Sequence, residues 1–189
     1  MAKAPHHRVC PVWVGYLLAS PIRRLVQNPQ KILAPHIRAG LRVLEVGPAM
    51  GFFTLPLARL VGPSGRVICV DVQGKMIDAL MRRARRATLA DRIEARVCDS
   101  DSLGVADLAR TIDFVLAFAV VHEVGDAARL FGEIESVLTP RGRLLFAEPR
   151  GHVSARAFQE SLGVAKQNGL HQTGSLKIAR SHAAILERA

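Results

Sequence analysis

The sequence is short of cysteine, of large aromatic residues and of acid, and each shortage excludes something. Cys10, Cys69 and Cys98 form no even framework and have no metal-ligand spacing. They read as small buried hydrophobes in a reducing compartment, with no disulfide scaffold and no metal site. The single tryptophan and single tyrosine, Trp13 and Tyr16, fall together near the start. No apolar run approaches the ~18 residues that cross a bilayer, and Trp13 to Ser20 lacks a signal-peptide layout. A cytoplasmic protein is expected. The 16 acidic residues are outnumbered by 26 basic ones, for a net charge of +10, a balance a nucleic-acid binder would also show. The basic residues are nevertheless spread along the chain, and the dense group Arg82, Arg83, Arg85 and Arg86 fits the end of a surface helix. A nucleic-acid partner is possible but not favoured.

What is present is alternation. Arg42 to Leu60 runs from an apolar strand (Val43, Leu44, Val46, interrupted by Glu45) through Gly47-Pro48-Ala49-Met50-Gly51 into a helix-compatible segment from Phe52. Further strands are expected at Arg66–Asp71, Ile93–Cys98, Asp113–Phe118 and Arg143–Ala147, with two shorter candidates around Leu170–Leu176 and His182–Leu186. Helices are expected over Gly74–Ala87, Asp126–Leu138 and Ser154–Gln167, a weaker one over Leu103–Arg110, and a turn at Thr139–Gly142. Before the first strand, Ser20-Pro21 and Asn28-Pro29 each pair an N-cap with proline at the first helical position. The second of these helices runs to about Arg38, shortened or bent by Pro35. Strands alternating with helices give a parallel sheet in a three-layer α/β sandwich. Residues 1–40 are expected to form a helical lid belonging to the same domain, and residues 41–189 the ligand-binding body.

The first turn does not carry the dinucleotide fingerprint G-x-G-x-x-G: after Gly47, Ala49 and Phe52 stand where two glycines belong. The spacing Gly47-x-Ala49-x-Gly51, with Glu45 before it, suits a ligand without a pyrophosphate. Asp71 ends the second strand, where a carboxylate can accept from both ribose hydroxyls. Asp99, with Ser100 beside it, ends the third, placed for an exocyclic amine. Any one of these acids could be a turn residue. Three at successive strand ends beside a glycine loop outline a nucleoside.

In this order, EVGPAMG, VICVDV, VCDS, IDFVLAFAVVHEV and LTPRGRLLFAEP resemble the successive motifs of class I S-adenosylmethionine-dependent methyltransferases, in particular the small-molecule branch that includes quinone-biosynthesis enzymes. The resemblance spans about Leu41 to Phe158. It implies a Rossmann-like, mainly parallel seven-stranded sheet whose last strand is antiparallel, with S-adenosyl-L-methionine as cofactor. It also implies roles: Glu45 near the methionine amino group, Gly47 and Gly51 where backbone approaches the ligand, and Asp71 on the ribose. Val72 and Asp99 with Ser100 fall to the adenine, and Ala119 to the floor near the sulfonium. Ala49 departs from the family's middle glycine.

For the chemistry, His122 and Glu123 just beyond the fourth strand are the catalytic candidates, with Glu148 at the end of the fifth as another base. Phe118-Ala119-Val120-Val121-His122 lacks the Asn/Asp-Pro-Pro-Tyr of amino-group methylation and the Pro-Cys of pyrimidine C5 chemistry, and the thiols are too few for arsenite. Trp13 and Tyr16 are the lid candidates for substrate choice. The leading expectation is methyl transfer to a small organic acceptor. An RNA-directed methyltransferase and a non-catalytic S-adenosylmethionine-binding protein are the alternatives. Oligomeric state is not legible.

Overall fold

The computed structural model describes residues 26–189. Cys10, Trp13, Tyr16 and the helix expected at Ser20-Pro21 lie outside them. The elements follow in chain order: α1 (Pro29–Leu33), β1 (Arg42–Val46), α2 (Thr54–Leu60), β2 (Arg66–Asp71), α3 (Gly74–Arg86), β3 (Ile93–Val97), β4 (Ile112–Phe118), α4 (Ala127–Val137), β5 (Leu138–Pro149), α5 (Ala155–Gln167), β6 (Leu170–Ser175) and β7 (Ser181–Arg188). The strands form one seven-stranded sheet in the order β3-β2-β1-β4-β5-β7-β6, parallel through β5, with β7 antiparallel to both neighbours. This is the expected architecture.

The strands are apolar on both faces because both are covered by helices. Alternate residues divide between two cores. Leu44, Ile68, Val115 and Phe146 pack with Phe131, Ile134 and Phe158 of α4 and α5. Val43, Val67, Phe114 and Leu145 pack with Leu33, Leu57, Ile77 and Leu80 from α1, α2 and α3. The period of two therefore sends Glu45 to the second face, among hydrophobic neighbours, and there it is 3% exposed. Leu33 and Ile37 are buried in that same core, so the chain from α1 onward is part of one body with the sheet.

Three expectations needed correction. The helix starting at Asn28-Pro29 is capped by Asn28 as expected, but ends at Leu33, two residues before Pro35. Leu103–Arg110 holds only a single 3-10 turn, Ala106–Leu108. Its first residues are instead tethered to α4, where Glu133 accepts from Ser102 Oγ at 2.7 Å and from the Leu103 amide at 2.8 Å. Thr139–Gly142 is no separate turn. It belongs to β5, which carries a register shift opposite Ile112 and Phe114. At Gly142 a Cβ would come within 2.9 Å of the Ile112 carbonyl, so the irregular stretch takes glycine there.

Candidate functional site

With β2 on one side of β1 and β4 on the other, chain direction around the sheet reverses beside β1, and a crevice opens at the strands' carboxyl ends. It is a cleft of about 470 Å³. Glu45, Gly47, Asp71, Val72, Asp99, Ser100, Ala119 and Glu123 all lie in its wall. Gly51 and His122 do not.

The loop after β1 is shaped by left-handed backbone. Gly47 has φ +68°, and a Cβ there would stand 2.9 Å from Val120 Cγ2, so only glycine lets the loop close against the chain leaving β4. Gly51, at φ +84°, faces the other way: its missing Cβ makes room for Leu80 of α3, 2.4 Å from where that atom would be. Glycine is required here by the packing of α3. Arg83, on the same helix, donates to the Met50 carbonyl, so α3 holds the underside of the loop twice. Ala49 adopts φ +47° without being glycine. Its amide donates to Asp71 Oδ2 at 3.3 Å, a bond across to β2 that fixes the loop's height.

The carboxylates differ sharply in surroundings. Glu45 Oε2 accepts from Thr54 Oγ1 at 2.6 Å, with the Cys69 thiol 3.8 Å away. Burial is the largest influence on it and lifts its pKa to about 7, against the opposing pull of those hydrogen bonds. Asp71 is 8% exposed and accepts the amides of Gln73 at 2.9 Å and Ala49. Burial raises its pKa and the two amides oppose the rise. Each of its oxygens keeps acceptor capacity. Asp99 and Ser100 are exposed at the rim, with Asp99 bridging to Ser102.

On the other side of the cleft, Ala119 also has a positive φ, +59°, while its amide bonds the Ala147 carbonyl at 2.7 Å. Two non-glycine residues in the left-handed region, Ala49 and Ala119, therefore face the cleft from its two sides. The following 3-10 turn, Val121–Glu123, points Glu123 at the cleft and His122 away from it. His122 Nδ1 meets Oε2 of Glu148 at 2.5 Å, and the His122 amide donates to Oε1 of the same carboxylate at 3.2 Å. Glu148 is 1% exposed, whereas the imidazole retains 22% of its surface. That hydrogen bond is the main cause of a raised His122 pKa. The Nε2 edge lies 4.0 Å from Glu123 Oε1, and the His152 ring packs edge-on at 5.6 Å.

Several wall residues had no signal in the sequence reading. Phe52 and Phe53 meet edge-on at 5.0 Å, and Phe53 lies 4.6 Å from Phe118, giving the cleft an aromatic flank. Thr54, which tethers Glu45, could have been found from its position one turn past the glycine loop. Among the described residues no group of histidines, cysteines and acids could hold a metal ion, and no helix is long and apolar enough to cross a membrane.

Comparison with known proteins converges on the same region. Residues 37–180 match a family model described as a methyltransferase domain. A ubiquinone/menaquinone biosynthesis C-methyltransferase UbiE from Hahella chejuensis is 30% identical over 125 residues, 65% of this chain and 49% of that protein. The protein of that name from Cellvibrio japonicus is 30% identical over 145 residues, 75% and 57% respectively. The chain thus spans about half the length of these curated relatives. A SAM-dependent methyltransferase from Aquifex aeolicus superposes with a TM-score of 0.86 at 19% identity, covering 96% of this chain and all of that one, which speaks to fold. With the matched segment taking in every strand from β1 to β6 and the glycine loop between Glu45 and Thr54, the chain belongs to the class I S-adenosylmethionine-dependent methyltransferase family.

Proposed function

We propose that this chain transfers a methyl group from S-adenosyl-L-methionine to a small organic acceptor. The observation that carries the reading is the meeting, in one cleft, of Glu45, Gly47, Asp71, Asp99 and Ala119 from the ends of four strands. The residues fit the cofactor. Glu45, buried with a pKa near neutrality, is a natural partner for an ammonium group. Asp71 has spare acceptor capacity for a pair of ribose hydroxyls, Val72 offers an exposed apolar surface for a base, and Asp99 with Ser100 can meet an exocyclic amine. Gly47 leaves room for close approach. When bound, the cofactor supplies an activated methyl electrophile on sulfur.

What the protein adds is position and a proton acceptor. Phe52, Phe53 and Phe118 give an acceptor an apolar flank. Of the two base candidates Glu123 faces the cleft. His122, held by Glu148 through both its ring nitrogen and its amide, stands behind it with Nε2 4.0 Å from Glu123 Oε1, placed to draw the proton on. The imidazole must be neutral to take a proton, so its raised pKa sets a lower pH limit on transfer. Gln27 donates to the Ala179 carbonyl at 2.8 Å and to Ser181 Oγ at 3.0 Å, and Ser181 is paired with Pro149 next to Glu148. That anchorage at the acceptor end supports a lid role for the residues before it, with Trp13 and Tyr16 selecting the acceptor. The quinone-biosynthesis relatives support a small organic acceptor over RNA.

Calorimetric binding of S-adenosylmethionine and S-adenosylhomocysteine to wild type and Asp71→Ala tests the assignment. Loss of a buried charged acceptor costs about 1.5–3 kcal/mol, so affinity should drop at least about tenfold for both ligands. The loop amide of Ala49 loses its partner in the same variant, so its melting temperature is read alongside. Unchanged affinity would remove Asp71 from the site.

A further inference from the structure

The end of the sheet opposite the cleft collects arginines that hold no carboxylate. β1 opens on Arg42 and β2 on Arg66, and Arg92 precedes β3. The turns at these amino ends therefore lie one strand length, about 17–20 Å, from the crevice at the carboxyl ends. Three of them are joined into one surface. The Gly40 amide donates to the Val61 carbonyl at 2.8 Å, and the Arg66 amide to the Leu41 carbonyl at 3.0 Å. The Arg66 guanidinium reaches the Asp91 carbonyl, and that of Arg92 the Ala58 carbonyl, which ties together residues 38–42, 58–66 and 85–92. Arg38, Arg59, Arg66, Arg85 and Arg86 are exposed on this surface. Among the described residues none of the five forms an ion pair, and Asp91 is the single acid that the three turns carry.

Elsewhere Arg96 holds Glu94 and Asp107, Arg110 holds Glu135, and Arg143 holds Glu187. The arginine run of α3 divides in the same way: Arg83 turns back to the Met50 carbonyl, while Arg85 and Arg86 stay in solvent. Guanidinium groups gathered without acids repel one another, and an external anion relieves that repulsion. Their planar forks match phosphate oxygens. The turns also decide which polyanion fits. They contain no Phe, Trp or Tyr on which unpaired bases could stack. The exposed large hydrophobic residues among those described, Val26, Val72 and Val97, lie outside them, so nothing apolar is placed to enter a lipid surface. A face of guanidinium groups alone suits a polymer that turns its phosphates outward and its bases in, a nucleic-acid duplex.

We propose that this surface binds double-helical nucleic acid through its phosphates, without reading base sequence, and that the bound duplex is not a methyl acceptor. The cleft is lined by the loops that follow the strands, so a duplex on the opposite turns lies a full strand length away from it. The surface anchors the protein to a polyanion while the cleft stays open to small molecules. Because only phosphates are met, RNA and DNA duplexes are equivalent ligands.

Fluorescence anisotropy of the full chain with a labelled DNA duplex of about 20 base pairs, between about 50 mM and about 200 mM salt, tests this. About four or five phosphate contacts give a log–log salt slope near −4, a loss of roughly 200-fold in affinity over that range. Arg85→Gln/Arg86→Gln should reduce the slope by about 2, and Arg38→Gln/Arg59→Gln by about the same. The control Arg156→Gln/Lys177→Gln removes equal charge from α5 and from the loop before β7, and its slope should stay within about 0.5 of wild type. Circular dichroism melts establish that each variant is folded. An RNA duplex should bind within about threefold of DNA, and an equal-length single strand or phosphatidylserine vesicles at least about tenfold more weakly. No binding near 50 mM salt, an unchanged slope in both arginine variants, an equal fall in the control, or a preference for single strands or vesicles each overturns the assignment. None of these measurements involves the cofactor, so the reading of the cleft stands or falls separately.

Discussion

The two halves of the cleft are built in different ways. At the ends of β1, β2 and β3 the functional side chains are tied to backbone: Asp71 holds the Ala49 and Gln73 amides, and α3 grips the loop at Met50 and Gly51. At the ends of β4 and β5 the proposed base rests on one side-chain pair, His122 of a single 3-10 turn with Glu148 of β5. The first half is a frame in which the nucleoside of the proposed cofactor would be met by groups already in place. The second depends on one residue pair joined by two hydrogen bonds, an arrangement that leaves the proposed acceptor end open to change without disturbing the cofactor side. Such a division lets one fold serve many acceptors.

The most damaging test of this contrast is Glu148→Gln. The carboxylate accepts two N–H groups from His122, whereas glutamine has one acceptor oxygen and one amide donor. The oxygen can keep the His122 amide, but the NH2 then faces Nδ1 and suits only the neutral ring with its proton on Nε2, so the charged imidazolium loses its partner at a cost of about 2–3 kcal/mol. His122 has a raised pKa in the native protein. The stability it contributes is complete below its unfolded value and lost as pH rises through the raised one. The variant's deficit in denaturant titrations should accordingly be greatest below about pH 6.5 and shrink at higher pH. NMR titration of the imidazole should show its pKa dropping, with S-adenosylmethionine affinity unchanged. A loss of cofactor affinity would mean the halves are not separate.

The cofactor half gives the opposite sign with Glu45→Gln. Burial raises the Glu45 pKa from 4.5 to about 7, so the folded state holds that proton more tightly than the unfolded chain. Its stability is greatest below 4.5 and is lost as pH rises through about 7. Glutamine can still accept from Thr54 and carries no charge. Relative to wild type it should be neutral near pH 4.5 and more stable at pH 8, on the order of 2 kcal/mol. Ligand binding should show the reverse, weakening as the partner for the ammonium group disappears. In wild type, binding at pH 6.5 should release a proton, measurable by calorimetry in buffers of different ionisation enthalpy.

How much of this was legible follows the same division. Strand ends are local features, so Asp71 and Asp99 could be placed from apolar runs alone, and Glu45 followed from alternation. That Gly51 also makes room for Leu80 was not legible, because it depends on how α3 crosses the loop. His122 and Glu123 were both legible as candidates beyond the fourth strand, but not which of them faces the cleft: the 3-10 turn gives the wall to Glu123 and turns His122 toward Glu148. One residue of rotation in a short turn exchanges neighbouring side chains, and nothing in Val120-Val121-His122-Glu123 specifies it. Gly142 read as a turn because a β-bulge and a turn use the same residue for different reasons.

The smallest effect is expected at Ala49, and it is the most discriminating for the loop. A non-glycine residue at φ +47° carries a strain of about 1–2 kcal/mol. Replacing it with glycine relieves that strain but frees the unfolded chain, which costs about 0.4–1 kcal/mol. The balance for Ala49→Gly is a gain within about 1 kcal/mol, read as a small rise in melting temperature. The Ala49 amide keeps its bond to Asp71 in either case, so the loop's height is unchanged and only a methyl group leaves the cleft wall. Cofactor affinity should then rise no more than about threefold, less than 1 kcal/mol. A rise beyond tenfold would mean that this alanine obstructs the cofactor and that the native loop is not shaped for it.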